Sequence, residues 1–218
     1  MSSDLVTFWQ HVAKLYAPFM KSSSGLYDQI CSGIRPYLRP DMEVLELACG
    51  SGQLSFPLAE QVRRWLATDF SPAMIAQAQK LPCPPPLHFS VADATALPYA
   101  PHSFDAVVIS NALHIMPHPA QALAQVRRVL KPQGLLFAPT FLHGDSTGFH
   151  LRVRAMELIG FHTFYPWTEP EFLAFLGRNG FQVTEHRPLG GGLAPLCFAA
   201  AAPKEAEPTA PGGADAPG

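Results

Sequence analysis

Three carboxylates, Glu46, Asp69 and Asp93, stand at or near the ends of short apolar runs, and the first is followed closely by two glycines, Gly50 and Gly52. Carboxylates so placed can accept hydrogen bonds or face positive charge. Glycine lacks a Cβ, so a turn built on it can adopt φ > 0 and lie against a ligand that a side chain would hold away. The apolar run around Glu46 gives way to helical periodicity from Gln53 to Val62, which predicts a strand, a tight turn and a helix start. A dinucleotide-binding turn would carry a third glycine and set pyrophosphate on the helix N-terminus. Ser55 stands at that third position, and Glu46 would repel a pyrophosphate, so a positively charged ligand fits better.

The other acids are positioned by further strands. Arg63 to Thr68 reads as a second strand delivering Asp69, about 20 residues beyond the glycine turn, where an acid can accept both hydroxyls of a ribose. Ser71-Pro72 is equally a helix N-cap and first helical residue, so Asp69 could instead serve the helix that follows. Leu87 to Ala92 forms a third strand ending at Asp93, and Ala106 to Ile109 a fourth ending at Ser110. A helix over Pro119 to Leu130, a stop at Lys131 to Gly134 and a fifth strand over Leu135 to Ala138 continue the alternation. Thr168 and Pro170 open another helix, and Phe181 to Arg187 with Leu193 to Ala200 read as a final antiparallel pair. In an open parallel sheet, strand ends of this kind face one crevice.

The segment Glu46-Leu-Ala-Cys-Gly50-Ser-Gly52 resembles the first motif of class I S-adenosylmethionine-dependent methyltransferases, with Ala48 where many members have glycine. Ala96-Leu97-Pro98 through Phe104-Asp105, and Val126 through Leu135, are similar to later stretches of the same family, and Tyr27-Asp28 to an aromatic-Asp element of its small-molecule and quinone-biosynthesis members. The resemblance runs from Tyr27 to Ala200. It implies an α/β, doubly wound, Rossmann-like sheet of seven mostly parallel strands with an antiparallel last strand. It also implies that S-adenosylmethionine is held by Glu46, Ala48, Gly50, Gly52, Asp69, Phe70, Asp93, Ala94, Ser110 and Tyr27, with Asp93 on the adenine amino group.

Composition agrees with a globular chain of one main domain. The 218 residues are 48% hydrophobic and 15% charged, enough to bury a core without metals or disulfides. A formal net charge of −2 supplies no basic stripe for nucleic acid. Cys31, Cys49, Cys83 and Cys197 have no metal-type or disulfide-type spacing. No signal peptide and no apolar run near the ~20 residues needed to span a bilayer is evident, so a cytoplasmic protein without stable membrane insertion is expected. Residues 1–40 read as N-terminal helices and a possible lid, 41–202 as the cofactor-binding domain, and 203–218 as a disordered tail.

Methyl transfer from a sulfonium requires alignment and exclusion of water more than proton transfer, so no triad or metal cluster is needed. Where the acceptor starts protonated, His114 and His143 are the candidate bases, each following a strand tip, with His118 and His150 further out. Substrate-facing groups are expected from Trp9 and Tyr16 and from the loops Asn111 to Met116, Phe141 to Phe149 and Phe161 to Trp167, whose aromatic content points to a small apolar or flat acceptor, and Arg152 or Arg154 could hold an anionic group on it. An NAD-dependent oxidoreductase and a non-catalytic cofactor-binding module are the competing readings.

Overall fold

A computed structural model of the chain describes residues 24–142, 164–190 and 195–205. The lid region before Ser24, the candidate base His143, and Trp9, Tyr16, His150, Arg152 and Arg154 lie outside the described residues, as does the tail from 206 onward.

The first helix, α1 (Ser24–Ile34), passes into a 3-10 turn at Arg35–Tyr37, because Pro36 has no N–H to continue the ladder. It leads into β1 (Glu43–Leu47), the short helix α2 (Ser55–Leu58) and β2 (Arg64–Asp69). Then come α3 (Pro72–Ala78), β3 (Leu87–Val91), β4 (Phe104–Ile109), α4 (Pro119–Val129), β5 (Leu130–Phe137) and β6 (Thr140–Phe141). The last elements are α5 (Glu169–Arg178), β7 (Phe181–Leu189) and β8 (Leu196–Pro203).

Strands β3, β2, β1, β4 and β5 lie side by side and parallel, and β8 runs antiparallel between β5 and β7. The strand order turns back on itself between β1 and β4, the place where a doubly wound sheet opens a crevice at its C-terminal edge. Among the described residues eight strands are present rather than seven because the fifth rank is interrupted: β5 and β6 both pair with β8, on either side of Ala138-Pro139. Proline cannot donate to a ladder, which accounts for a break at that point.

Alternation along β1 assigns its residues to two layers. Leu45 and Leu47 pack with Leu123, Val126 and Phe172 from α4 and α5, whereas Val44 joins Leu26, Ile30 and Leu58 from α1 and α2 on the opposite face. Burial of these large apolar side chains, each worth about 1.5–3 kcal/mol, holds both layers to the sheet.

Local boundaries differ from the sequence expectation in two instructive places. The helix expected from Gln53 to Val62 is only one α turn followed by a 3-10 turn at Ala59–Gln61, since the chain must return at once to β2, where Arg63 N and Arg64 N donate to Met42 O. The stop expected at Lys131 to Gly134 lies within β5. Leu130 pairs directly with Phe104, a register shift absorbs the irregularity, and Lys131 Nζ reaches Asp105 Oδ1 at 2.7 Å. The antiparallel pair also differs, β7 running on to Leu189 and β8 lying three residues later than expected, at Leu196–Pro203, with Lys204 N donating to Gly180 O at 2.9 Å.

Candidate functional site

The turn after β1 is shaped by backbone that most residues avoid. Ala48, Gly50 and Gly52 have φ of 53°, 56° and 90°. Cys49 N donates to Thr68 O and Gly52 N to Cys49 O, so the turn folds back over the end of β2. The two glycines do different work. Gly50 lines the cleft, whereas a Cβ on Gly52 would meet the Phe56 ring at 2.7 Å, which makes it a packing position beneath the turn.

Asp69, the last residue of β2, ties the turn to the next helix. Its Oδ2 accepts Gly50 N at 2.9 Å and its Oδ1 accepts Ser71 N at 2.8 Å. Burial pushes its carboxyl above the usual aspartate range, against the pull of those two amide donors. Ser71 Oγ in turn accepts Met74 N and caps α3, so the two readings of Asp69 hold together in one arrangement. Asp93 is held from its own loop, Oδ1 accepting Thr95 N at 2.8 Å and Thr95 Oγ1 at 2.7 Å. A carboxylate has room for about four hydrogen bonds, so both acids keep acceptor capacity for a ligand.

These residues surround a solvent-open cleft enclosing about 870 Å³ at the C-terminal ends of the parallel strands. Of the residues named from sequence, Ala48, Gly50, Asp69, Phe70, Asp93, Ala94 and Ser110 line it together. The lining continues from Ser110 through Asn111, Ile115, Met116 and His118, on the turn between β4 and α4. That wall is braced from outside. Phe164 N and Tyr165 N both donate to His114 O at 3.0 Å, and Tyr165 Oη donates to Pro117 O at 3.2 Å. Tyr165 stacks on Trp167 with centroids 5.1 Å apart, and Trp167 stacks on Phe175 at 4.5 Å, which anchors the brace to α5.

Glu46, Gly52, Tyr27 and His114 lie elsewhere than on the cleft lining. Glu46 is two residues of parity from Val44 and therefore faces the α1/α2 layer, where it is 2% exposed. Its Oε2 accepts Ser55 Oγ at 2.6 Å and Trp65 Nε1 at 2.8 Å. Burial raises its pKa to about 7, partly opposed by those two donors. Glu46 therefore reaches the turn through Ser55, at the start of α2. Tyr27 packs on the apolar cluster of the same layer. His114 is buried in the wall, its ring edge-on to Phe141 at 6.1 Å, while His118, ranked behind it from sequence, lines the cleft.

Three polar side chains at or near the ends of β4 and β5 have a different status. Ser110 Oγ, both amide atoms of Asn111 and Thr140 Oγ1 are buried with no hydrogen-bond partner among the described residues. Each such group costs about 1–3 kcal/mol of desolvation. Sequence reasoning set Asn111 among substrate-facing loop residues but passed over Thr140, whose only signal was a hydroxyl inside an apolar run.

The residues present fit an adenosyl ligand: a backbone turn that approaches closely at Gly50, and two carboxylates with spare acceptor capacity at neighbouring strand ends. Comparison with known proteins agrees. The methyltransferase-domain family profile matches residues 45–138. The chain is 33% identical over 176 residues to a demethylmenaquinone methyltransferase of Renibacterium salmoninarum, covering 72% of this chain and 73% of that one. It is 29% identical over 177 residues to the 2-phytyl-1,4-naphtoquinone methyltransferase of Thermosynechococcus vestitus, covering 71% and 79%. A putative methyltransferase of Haloferax volcanii, solved in complex with a methyltransferase activator, shares the fold with a TM-score of 0.76 at 18% identity, over 90% of this chain and 97% of that one. Sequence identity of this extent, a matching domain profile and the doubly wound sheet identify the chain as belonging to the class I S-adenosylmethionine-dependent methyltransferases, enzymes whose cofactor is S-adenosylmethionine.

Proposed function

We propose that the acceptor is a small, flat, oxygen-bearing aromatic of the quinol type. Two observations support this reading. Both relatives described above are named for quinone-type substrates. The side of the cleft formed by the turn after β4 combines apolar Ile115 and Met116 with Asn111, whose amide is buried without a protein partner among the described residues, a wall suited to a ring with polar substituents. The observation that carries the proposal is the division of one cleft into a strand-end half rich in fixed carboxylate and amide groups and a turn half that is mostly apolar.

The protein's part in the reaction is alignment. Asp69 accepts the ribose hydroxyls, Asp93 and the Ala94 amide hold the adenine, and the backbone from Ala48 to Gly50 cradles the amino-acid portion. Phe70 and Ser110 complete that half. When bound, S-adenosylmethionine supplies a methyl group on a sulfonium whose departure needs no proton. The apolar turn holds the acceptor ring in line with that methyl and keeps water away, which can contribute several kcal/mol. A proton on the acceptor passes more readily to His118, which lines the cleft, than to His114. Glu46 acts behind the turn as a support for α2 rather than as a ligand contact.

Incubation with S-adenosylmethionine carrying a labelled methyl and with 1,4-dihydroxynaphthalene, kept reduced, should yield a product one methyl heavier by mass spectrometry. No transfer to any dihydroxy-aromatic, with cofactor binding intact by calorimetry, would overturn the acceptor class. Binding of NAD in preference to S-adenosylmethionine would overturn the cofactor half as well.

A further inference from the structure

Asn111 is on the lining of the cleft, and Thr140 is buried one residue beyond Pro139, to which Asn111 is hydrogen-bonded. The Asn111 backbone N–H donates to Pro139 O at 2.8 Å, which sets residue 111 beside the strand that carries Thr140. Asn111 lines the cleft, Thr140 is 1% exposed, and neither the Asn111 amide oxygen and nitrogen nor the Thr140 hydroxyl has a hydrogen-bond partner among the described residues. Native proteins pair nearly all buried polar groups, because an unpaired one has lost its water and gained nothing. Here one of the exceptions, Asn111, is held at φ 52°, a conformation that non-glycine residues seldom adopt. The carboxylates of the cleft, by contrast, all have protein donors.

We infer that Asn111 and Thr140 together read the oxygen substituents of the acceptor ring. The primary amide presents a donor and an acceptor on one plane, and the threonine hydroxyl can supply either. Their complement is an aromatic ring bearing a hydroxyl, or a hydroxyl with a carbonyl nearby. A hydrocarbon ring would leave the amide unpaired, and an ammonium could satisfy only its oxygen. Discrimination by such a site is strong because the wrong ligand leaves buried polar groups without partners. The inference deepens the methyl-transfer reading of the cleft and rests on it for the orientation of the ring.

Calorimetry in saturating S-adenosylhomocysteine tests the pair, with 1,4-dihydroxynaphthalene and naphthalene as probes. The wild-type protein should prefer the dihydroxy ring, and Asn111→Gly, which keeps the backbone conformation accessible, should weaken its binding at least tenfold. Thr140→Val should weaken it by a smaller factor, and neither variant should alter the affinity for naphthalene or for S-adenosylhomocysteine. Unchanged binding of the dihydroxy ring in Asn111→Gly overturns the inference, and so does a wild-type protein that binds both rings alike or binds neither. A melting temperature of Asn111→Gly well below that of the wild type would also overturn it, since it would give the amide a structural task. Selective binding of the dihydroxy ring without any methyl appearing on it would remove the quinol-methylation reading and leave the oxygen-reading pair in place.

Discussion

The two halves of the cleft are finished to different degrees. On the side of β1, β2 and β3, the acids already have partners: Glu46 with Ser55 and Trp65, Asp69 with Gly50 and Ser71, Asp93 with Thr95. On the side of β4 and β6, Ser110, Asn111 and Thr140 carry buried polar atoms without partners among the described residues. A half whose geometry is held by internal hydrogen bonds can bind the same ligand with little reorganisation, which suits a cofactor common to a whole family. A half with open valences derives its specificity from the ligand that closes them. On the proposed reading, the contrast within this one cleft separates recognition of the cofactor from recognition of the acceptor.

The largest expected effect breaks the finished half at its centre. Asp69→Ala should weaken S-adenosylmethionine binding by about 100-fold or more in calorimetry, since two hydrogen bonds to a charged group are lost at roughly 1.5–3 kcal/mol each. The same substitution removes the acceptor of Gly50 N and Ser71 N, so a lowered melting temperature should accompany it. A 2′-deoxy analogue of the cofactor should show a smaller gap between variant and wild type. Equal gaps for the two ligands would mean that Asp69 serves only the turn and that ribose is held elsewhere.

Glu46 gives a second, smaller break on the same side. Unfolded, its carboxyl ionises near 4.5, and in the fold it keeps its proton to about 7. Between those values the unfolded chain binds fewer protons than the folded one. This group's contribution therefore falls as pH rises through that window and is level above it. The total is on the order of 3 kcal/mol. Glu46→Gln keeps an oxygen for Ser55 and Trp65 and has no charge to bury. In urea unfolding it should match the wild type near pH 4 and exceed it by that order at pH 8. Cofactor affinity should be unchanged, whereas a clear loss would mean that the Glu46 charge reaches the ligand despite its burial.

Much of the finished half was legible in the chain because strand ends are legible. Asp69 and Asp93 each follow a run of strand-forming residues, and a carboxylate at the tip of a parallel strand faces the crevice whatever its exact contacts. Glu46 is harder to place because it precedes the tip: its parity sets it toward the α1/α2 layer, and parity is meaningful only once the faces are assigned. Gly52 misleads in another way. Its positive φ was readable from residue type, but the neighbour that forbids a side chain there is Phe56, not a ligand. The side of β4 and β6 was read least well for a physical reason. What distinguishes Asn111 and Thr140 is the absence of partners, a property of three-dimensional packing that no spacing along the chain encodes. By distance from the strand tip His118 stands behind His114, but the turn at Leu113–Ile115 buries the nearer histidine and His118 lines the cleft.

The smallest effect sharpens the comparison by testing one backbone conformation in both halves. Ala48 and Asn111 have φ of 53° and 52°, at the mouths of β1 and β4. Alanine in that region costs roughly 1–2 kcal/mol, part of which glycine would return through greater freedom in the unfolded chain. Ala48→Gly should therefore raise stability by up to about 1 kcal/mol and leave binding of cofactor and acceptor unchanged, because only the backbone of this residue is asked to approach a ligand. Asparagine tolerates the conformation better, so strain relief in Asn111→Gly is smaller, and its stability gain comes instead from removing a buried amide that has no partner. Chemical unfolding would then give two similar shifts of different origin, separable by the acceptor, whose binding suffers in one variant and not in the other. If both glycine variants bound acceptor normally, the open valences at Asn111 would have no role in recognition, and the cleft would be finished on both sides.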